Sequence, residues 1–226
     1  MIPVEQQVFE MYPGAGFGVL CVHGFHGHRT AAFTAVKEQE LASIRRRLEG
    51  YDRKALTATE PVCHYVSYYK RFKKTYHVLH QLESILAGKS IPDGFPLVES
   101  MFLAEVKHAL LMAGLSLDEM DPPFTIGVAQ GDEHYIGAAG EDVHVKASDI
   151  FLRDRMGIVL STIYGQDSRT RITEKTENAM FLVDGVDGIA KDMIFSALED
   201  ILKYLRLFVP AVEVTCMDVL CSRNDA

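Results

Sequence analysis

The segment of residues 154–181 carries the densest mixture of chemically useful side chains in the chain. An apolar strand pattern leads into a polar turn at Gly165, and carboxylate, hydroxyl and guanidinium groups follow over residues 166–173. Glycine allows a tight turn, and a side chain such as Asp167 can bond nearby backbone amides. A guanidinium group such as that of Arg169 could meet a carboxylate or phosphate through charge-assisted hydrogen bonds. These residues are equally compatible with two interpretations: a turn that binds a ligand, or a hairpin turn with exposed polar side chains.

Aromatic and basic side chains interleave over residues 65–77. Such a mixture can stack on bases and neutralise phosphates, so it predicts an RNA-binding surface formed by Tyr68, Lys70, Arg71 and Lys74. The alternative, which the helical spacing favours, is a helix whose aromatic side chains line the core and whose basic residues are its solvated face.

Three histidines, His23, His26 and His28, fall within six residues at the end of a predicted strand. Imidazole nitrogen is a common metal ligand. No Cys, Asp or Glu accompanies the histidines at ligand spacing, so we expect a polar strand-to-helix loop and predict no metal site and no cofactor. The chain also lacks a nucleophile elbow, a phosphate-binding loop and a dinucleotide fingerprint, which argues against serine hydrolases, NTPases and dehydrogenases.

Composition limits the class of protein. At 226 residues and 48% hydrophobic, the chain can bury a substantial core. The net charge of -8 disfavours a general nucleic-acid binder and DNA as a partner. Apolar runs are too short to span a bilayer and the N-terminus lacks a signal pattern, so we expect a cytoplasmic protein without a membrane partner.

Helical and strand patterns are grouped along the chain rather than strictly alternating. We predict helices over residues 30–49, from 61, over 76–87 and 97–113, and a long one from near 187. The predicted strands are 8–12, 16–22, 124–129, 135–138, 143–146, 158–164, 179–186 and 212–220. This grouping favours an α+β fold with a mixed or mainly antiparallel sheet packed with helices. We expect one domain, with an N-terminal strand-helix lobe over 1–60, a core over 61–208, and a closing strand and tail over 209–226.

Several short motifs resemble a known family when taken in order. They include Glu60-Pro61, the aromatic residues of 65–72, Leu82-Glu83-Ser84-Ile85-Leu86-Ala87-Gly88-Lys89-Ser90-Ile91-Pro92, Leu97-Val98-Glu99, and the glycine, arginine and threonine pattern of 154–176. Together they resemble the tRNA-binding and editing domain of the phenylalanyl-tRNA synthetase beta chain, in a stand-alone form. The match covers roughly residues 61–208 in consistent order.

In the synthetase, that domain hydrolyses tyrosine wrongly esterified to the phenylalanine tRNA, as a second sieve. The resemblance implies an α+β domain with a pocket for an amino acid or aminoacyl ester, and tRNA as partner. It implies substrate-binding roles for Glu83, Glu99, Asp154, Ser161, Gly165, Arg169, Thr170 and Thr173. We expect water to be the nucleophile, positioned by the catalytic residues Asp167 and Thr176, with backbone amides stabilising the oxyanion. The synthetase's aminoacylation regions have no counterpart, so a full ligase is not expected.

Two hypotheses follow. The first is a freestanding RNA-binding, editing-like domain that, if catalytic, is an aminoacyl-tRNA deacylase acting in trans. The second is a non-catalytic module that binds a small amino-acid-like metabolite or a protein partner, as its acidic net charge suggests. A polar cavity beside Gly165, reached from the face of residues 65–74, would favour the first hypothesis.

Overall fold

The computed structural model describes residues 2–222, so Met1 and residues 223–226 of the expected tail lie outside the described residues. The helices are α1 (Gln6–Met11), α2 (Ala31–Arg47), α3 (Arg53–Thr57), α4 (Val62–Arg71), α5 (Val78–Leu86), α6 (Pro96–His108) and α7 (Lys191–Leu205), with a short 3₁₀ helix at Leu117–Glu119. The strands are β1 (Gly16–His23), β2 (Met112–Ser116), β3 (Thr125–Val128), β4 (His134–Ile136), β5 (Asp142–His144), β6 (Ile150–Asp154), β7 (Gly157–Ser161), β8 (Gly165–Gln166), β9 (Ala179–Gly185) and β10 (Glu213–Cys221).

These strands form two four-stranded sheets and a separate hairpin. The first sheet has the order β10-β1-β9-β2, the second has the order β3-β6-β7-β8, and β4 pairs with β5. Every pair of these strands is antiparallel. The expected α+β fold with a mainly antiparallel sheet and packed helices is therefore confirmed.

Helix α7 covers one face of the first sheet, and a glycine allows the close contact. A Cβ atom on Gly18 would lie 2.6 Å from the Ile194 side chain and 3.2 Å from that of Val183. Ile194 is itself fully buried. The helix therefore rests directly on the strand backbone where β1 passes beneath it.

Tyrosines of α4 connect the two sheets. The Tyr65 hydroxyl donates to the Asp184 carbonyl oxygen of β9 at 2.7 Å. The Tyr68 hydroxyl accepts a hydrogen bond from the Ile150 amide at the start of β6, at 2.9 Å. Both rings are buried. This helix therefore holds the first and second sheets at a set separation, and the candidate site lies in the space between them.

Two predicted elements are wrong. Residues 8–12, predicted as a strand, belong largely to helix α1, and the helix predicted over 97–113 ends at His108. Ala109 takes a left-handed conformation with φ 54°, and the apolar residues that follow pair with β9 as strand β2. A continuous apolar run has no period that distinguishes helix from strand. Pairing with β9 therefore determines that these residues form a strand. The break turns this part of the chain toward the candidate site.

Within residues 2–222, no helix has the length and apolar character needed to cross a membrane.

Candidate functional site

A cavity of about 320 Å³ lies beside Gly165, between the two sheets. We call it the carboxyl pocket. Its walls come from helices α4, α5 and α6, strand β2, the end of β7 through β8, and strand β9. Its polar lining residues are Tyr69, His77, Gln81, Glu105, Ser161, Thr162, Tyr164, Gln166 and Asp184. Its volume falls at the lower end of the range, about 300–1,000 Å³, usual for small-molecule sites.

Glu105 projects from α6 into this pocket and is only 2% exposed. Its Oε1 accepts a hydrogen bond from the Met112 amide at 3.2 Å. Burial raises the pKa of the Glu105 carboxyl to about 8, although this hydrogen bond and one with Gln81 oppose the shift. The carboxyl is therefore mostly protonated at pH 7.

Asp184 enters the pocket from β9, where the whole strand is buried. Burial, and then the charge of Asp149, raise the pKa of Asp184 to about 7. The Thr162 hydroxyl donates to Asp184 Oδ2 at 3.3 Å. A carboxyl with this pKa is divided between its two protonation states at neutral pH, as a general acid or base must be.

Asp149 lies behind the pocket wall and is fully buried. It accepts hydrogen bonds from the Tyr68 hydroxyl at 2.9 Å and from the Ser161 hydroxyl. Burial raises the pKa of Asp149 to about 6 despite these bonds. The site therefore holds three carboxyl groups that burial shifts toward neutral pH.

His77 stands at the mouth of the pocket with 51% of its side chain exposed. Its Nε2 lies 4.0 Å from Glu105 Oε1, and its Nδ1 lies 3.4 Å from the Tyr69 hydroxyl. Burial of the remaining surface, followed by the charge of His80, lowers the pKa of His77. A neutral imidazole next to a protonated carboxyl can relay protons between the pocket and solvent.

Gln81 contributes an unsatisfied acceptor to the pocket lining. Its Oε1 is buried and has no hydrogen-bond partner among the described residues. A buried amide oxygen without a donor is costly, at roughly 1–3 kcal/mol. Because this oxygen has almost no accessible surface, a bound molecule can reach it only if the Gln81 side chain moves.

Positive charge is confined to the rim. Of the described residues that line the pocket, none is Lys or Arg. Lys74 Nζ lies 5.3 Å from the ring centroid of Tyr164, a lining residue. Lys70 and Arg71 are exposed on the last turn of α4, close to Lys74 in sequence. The interior thus favours cationic or donor groups, and the rim favours anions.

Two of the residues predicted to bind substrate line this pocket, namely Ser161 and Gly165. Ser161 donates to Asp149 and accepts from the Tyr164 amide at 3.0 Å. Gly165 has φ 83°, a left-handed conformation that favours glycine, and its carbonyl oxygen accepts from the Tyr135 hydroxyl. Both residues shape the wall of the pocket.

Four other predicted residues, Asp154, Asp167, Arg169 and Thr170, form a bonded network that holds the turn after β8. Arg169 donates to Asp154 Oδ2 at 2.9 Å and to the carbonyl oxygen of Glu119. Asp167 Oδ1 accepts from the Thr170 amide at 2.9 Å and from its hydroxyl. These groups are engaged with the protein itself, and the network lies outside the carboxyl pocket.

Thr173 and Thr176 lie at a second, wider cleft of about 690 Å³, lined by residues 25–29, 94–97 and 173–177. Thr176 Oγ1 accepts from the Thr173 amide at 2.9 Å. Glu99 is buried behind this cleft, where Arg29, the Lys37 ammonium at 3.0 Å and the Gly94 amide at 2.8 Å bind it. The predicted site residues thus do not meet in one cavity.

His23 is the last residue of strand β1, and His26 and His28 lie in the loop between β1 and α2. His26 and His28 line the wider cleft, and His26 Nδ1 lies 3.7 Å from Glu177. Within residues 2–222, no group of three His, Cys, Asp or Glu side chains could hold a metal ion.

The remaining predicted residues lie on or near helices α4 and α5. Glu83 is on the outer side of α5, where Arg53 Nε donates to it at 2.7 Å and, chiefly through this bond, lowers the pKa of Glu83. The Tyr68 ring is buried and is not presented to a base, whereas Lys70, Arg71 and Lys74 are exposed. The basic residues therefore form the accessible part of the predicted RNA-binding surface.

Sequence reasoning missed the groups that give the pocket its chemistry: His77, Gln81, Glu105, Asp149 and Asp184. A signal was present for two of them. Glu105 interrupts the apolar pattern of α6, and Asp184 interrupts the apolar strand β9. A carboxyl group within a buried pattern needs a partner or a function to offset its desolvation.

No protein-family model and no curated protein sequence matches the chain. Among solved structures, the chain is similar to an N-terminal fragment of the phenylalanyl-tRNA synthetase beta-subunit from Pyrococcus horikoshii, with a TM-score of 0.49 and 10% sequence identity. The similarity covers 96% of this chain and 54% of that fragment. The chain thus spans about half the length of the fragment.

Proposed function

We propose that the chain is a tRNA-related domain that binds an aminoacyl ester in the carboxyl pocket and hydrolyses it, acting in trans on misacylated tRNA. The observation that carries the proposal is the pocket beside Gly165, which joins buried carboxyl groups of raised pKa to a rim with exposed Lys74. The motif order over residues 61–208 supports the same function class.

Asp184 is the proposed general base. Water attacks the ester carbonyl carbon, and the ionised Asp184 carboxylate accepts the proton of this water. The tetrahedral intermediate then collapses, the bond to the ribose oxygen breaks, and this oxygen takes up a proton as it leaves. A pKa of about 7 lets Asp184 both accept and return a proton near neutral pH. The carboxylic acid that forms then loses its own proton, which His77, at the mouth, passes to solvent.

The basic rim is the proposed contact with RNA. Lys74 lies beside Tyr164 of the pocket lining, and Lys70 and Arg71 are exposed at the end of α4, whereas the overall charge of the chain is -8. A local cluster of this kind can neutralise a few phosphates of an acceptor strand while the rest of the surface repels nucleic acid. Binding is therefore expected to be weak, local and sensitive to salt.

Deacylation of a panel of misacylated tRNAs tests the catalytic proposal. The wild-type chain should release at least one amino acid faster than buffer, and Asp184→Asn should lose this activity. Glu199→Gln, an exposed change on α7, is the matched control and should retain it. Loss of no ester above the buffer rate would refute the catalytic function. Asp167→Asn and Thr176→Val, made in parallel, test the two residues that the sequence predicted as catalytic.

Salt-dependent tRNA binding tests the rim separately. Removing Lys70 and Arg71 together should lower the slope of log K against log salt by about one for each lost phosphate contact. Arg46→Ala, an exposed arginine on α2, should leave the slope unchanged. An unchanged slope in the double variant would assign these basic residues to an ordinary solvated helix face.

A second candidate function is a non-catalytic module that binds a small amino-acid-like metabolite. The absence of Lys and Arg from the described pocket lining favours it, because such a pocket can hold an amine without any RNA. Binding of amino-acid amides together with no deacylation of any tRNA in the panel would select this function.

A further inference from the structure

The carboxyl pocket has an acceptor-rich interior that determines what kind of ligand can enter. Glu105 and Asp184 project into it, and the buried Gln81 Oε1 lacks a hydrogen-bond donor. Two carboxyl groups thus face a space with no Lys or Arg among its described lining residues. A ligand group that supplies several N–H donors and positive charge complements this arrangement.

We propose that the pocket recognises the α-ammonium group of its ligand through Glu105 and Asp184 and excludes ligands that carry a free carboxylate. It therefore takes amino esters and amides, and it rejects free amino acids. This inference rests on the proposed function in that it names the substrate class of the same pocket, but it concerns binding and not hydrolysis.

The physical basis is the difference between an ester and an acid. An esterified amino acid carries an ammonium and no carboxylate, so it is attracted to the ionised forms of Glu105 and Asp184 and brings no like charge. A free amino acid brings a carboxylate within the same small cavity, where low dielectric makes like-charge repulsion strong. The product of ester hydrolysis is thus the species that the pocket binds least, which favours its release.

The proton state of Glu105 supplies a specific readout. The groups that face it are Tyr65 and Tyr69 from α4, Tyr76 and His77 from the turn before α5, and Asp184 from β9. Burial raises the pKa of each of these tyrosines and lowers that of His77, so all four are neutral at pH 7 and above. An ammonium bound beside Glu105 favours the charged carboxylate and so expels its proton.

Calorimetric titration of the full chain at pH 7 tests the inference. The probes are the amides of a panel of amino acids, which resist hydrolysis, the matching free amino acids, and the matching N-acetyl amides, which lack the ammonium. We expect at least one amide to bind at least tenfold more tightly than both of its counterparts. Repeating the titration in buffers of different ionisation enthalpy should reveal release of about one proton for each amide bound.

Two variants locate the effect. Glu105→Gln keeps an acceptor for the Met112 amide, and it should weaken amide binding at least tenfold and abolish the proton release. Glu199→Gln should change neither quantity. Equal binding of an amide and its free acid, binding of N-acetyl amides as tight as that of amides, or no amide binding at all would each overturn the inference. If the chain deacylates tRNA but binds amides and free amino acids equally, only this inference about binding is overturned. If it binds amides preferentially but does not deacylate tRNA, only the catalytic proposal is overturned.

Discussion

Replacing Glu105 with Gln should make the stability of the chain less sensitive to alkaline pH. Burial raises the pKa of this carboxyl from its ordinary value of 4.5 to about 8. A raised carboxyl pKa means that the folded chain holds this proton more tightly than the unfolded chain does. The contribution of the protonated Glu105 carboxyl to the free energy of unfolding is therefore fully present below pH 4.5 and is lost as the pH rises toward 8.

The size of the effect follows from the pKa values. At about 1.4 kcal/mol for each pKa unit, the change of Glu105 from 4.5 to about 8 corresponds to ~5 kcal/mol. Most of this loss falls between pH 5 and pH 9, so over that interval the wild-type chain should lose about 4 kcal/mol more of its free energy of unfolding than Glu105→Gln does. Glutamine is nearly isosteric and keeps an oxygen for the Met112 amide, whose donor lies 3.2 Å from Glu105 Oε1.

Urea unfolding followed by circular dichroism at pH 5, 7 and 9 measures this difference. Asp149 and Asp184 are present in both chains, so their own titration largely cancels when the two are compared. Glu199→Gln is the control for loss of one negative charge, and its stability relative to wild type should stay constant across the three pH values. A difference between wild type and Glu105→Gln that does not change from pH 5 to pH 9 would refute the burial of an ionisable carboxyl at this position.

Three other changes test separate parts of the structure. Deacylation by the wild type should rise with pH up to about 7, the pKa of the Asp184 carboxyl, and Asp184→Asn should lower the rate by roughly 10²-fold or more; a variant rate within a factor of three would assign the base elsewhere. Tyr68→Phe removes the hydroxyl that donates to Asp149 and accepts from the Ile150 amide, and should lower the free energy of unfolding by roughly 1–3 kcal/mol in urea; no loss would contradict this buried link. Gly18→Ala places a Cβ where only 2.6 Å separates it from the Ile194 side chain, and should lower thermal stability by roughly 1–3 kcal/mol; an unchanged melting temperature would argue against direct helix-on-strand contact.

Local patterns were sufficient for elements with a clear period or a marked boundary. Helix α2 was predicted over residues 30–49 and spans Ala31–Arg47, because its apolar residues recur on one face and Thr30 accepts a hydrogen bond from the Phe33 amide at 3.1 Å as its N-cap. The strand predicted over 179–186 is β9, Ala179–Gly185. After His108 the apolar residues are continuous, so their spacing does not distinguish a helix from a strand, and the predicted helix is too long.

The candidate site was only partly predictable. The sequence directed attention to Gly165 and Ser161, which line the carboxyl pocket, because a glycine turn with polar neighbours is visible locally. It could not separate them from Asp154, Asp167, Arg169 and Thr170, whose polar groups bond to each other and to the backbone. Residue type alone does not reveal whether a polar group has a partner within the protein.

The α+β class, most of the strands and helices, and the polar turn at Gly165 could be predicted from residue order, since these depend on periodicity and on turn residues close together in the chain. The folded arrangement of α6, β9 and α5 brings Glu105, Asp184 and Gln81 together in one pocket. It also sets the pKa of the two carboxyl groups, because a carboxyl pKa near neutral arises from burial by residues remote in sequence. Patterns within a short stretch of sequence do not show how far these side chains are removed from water.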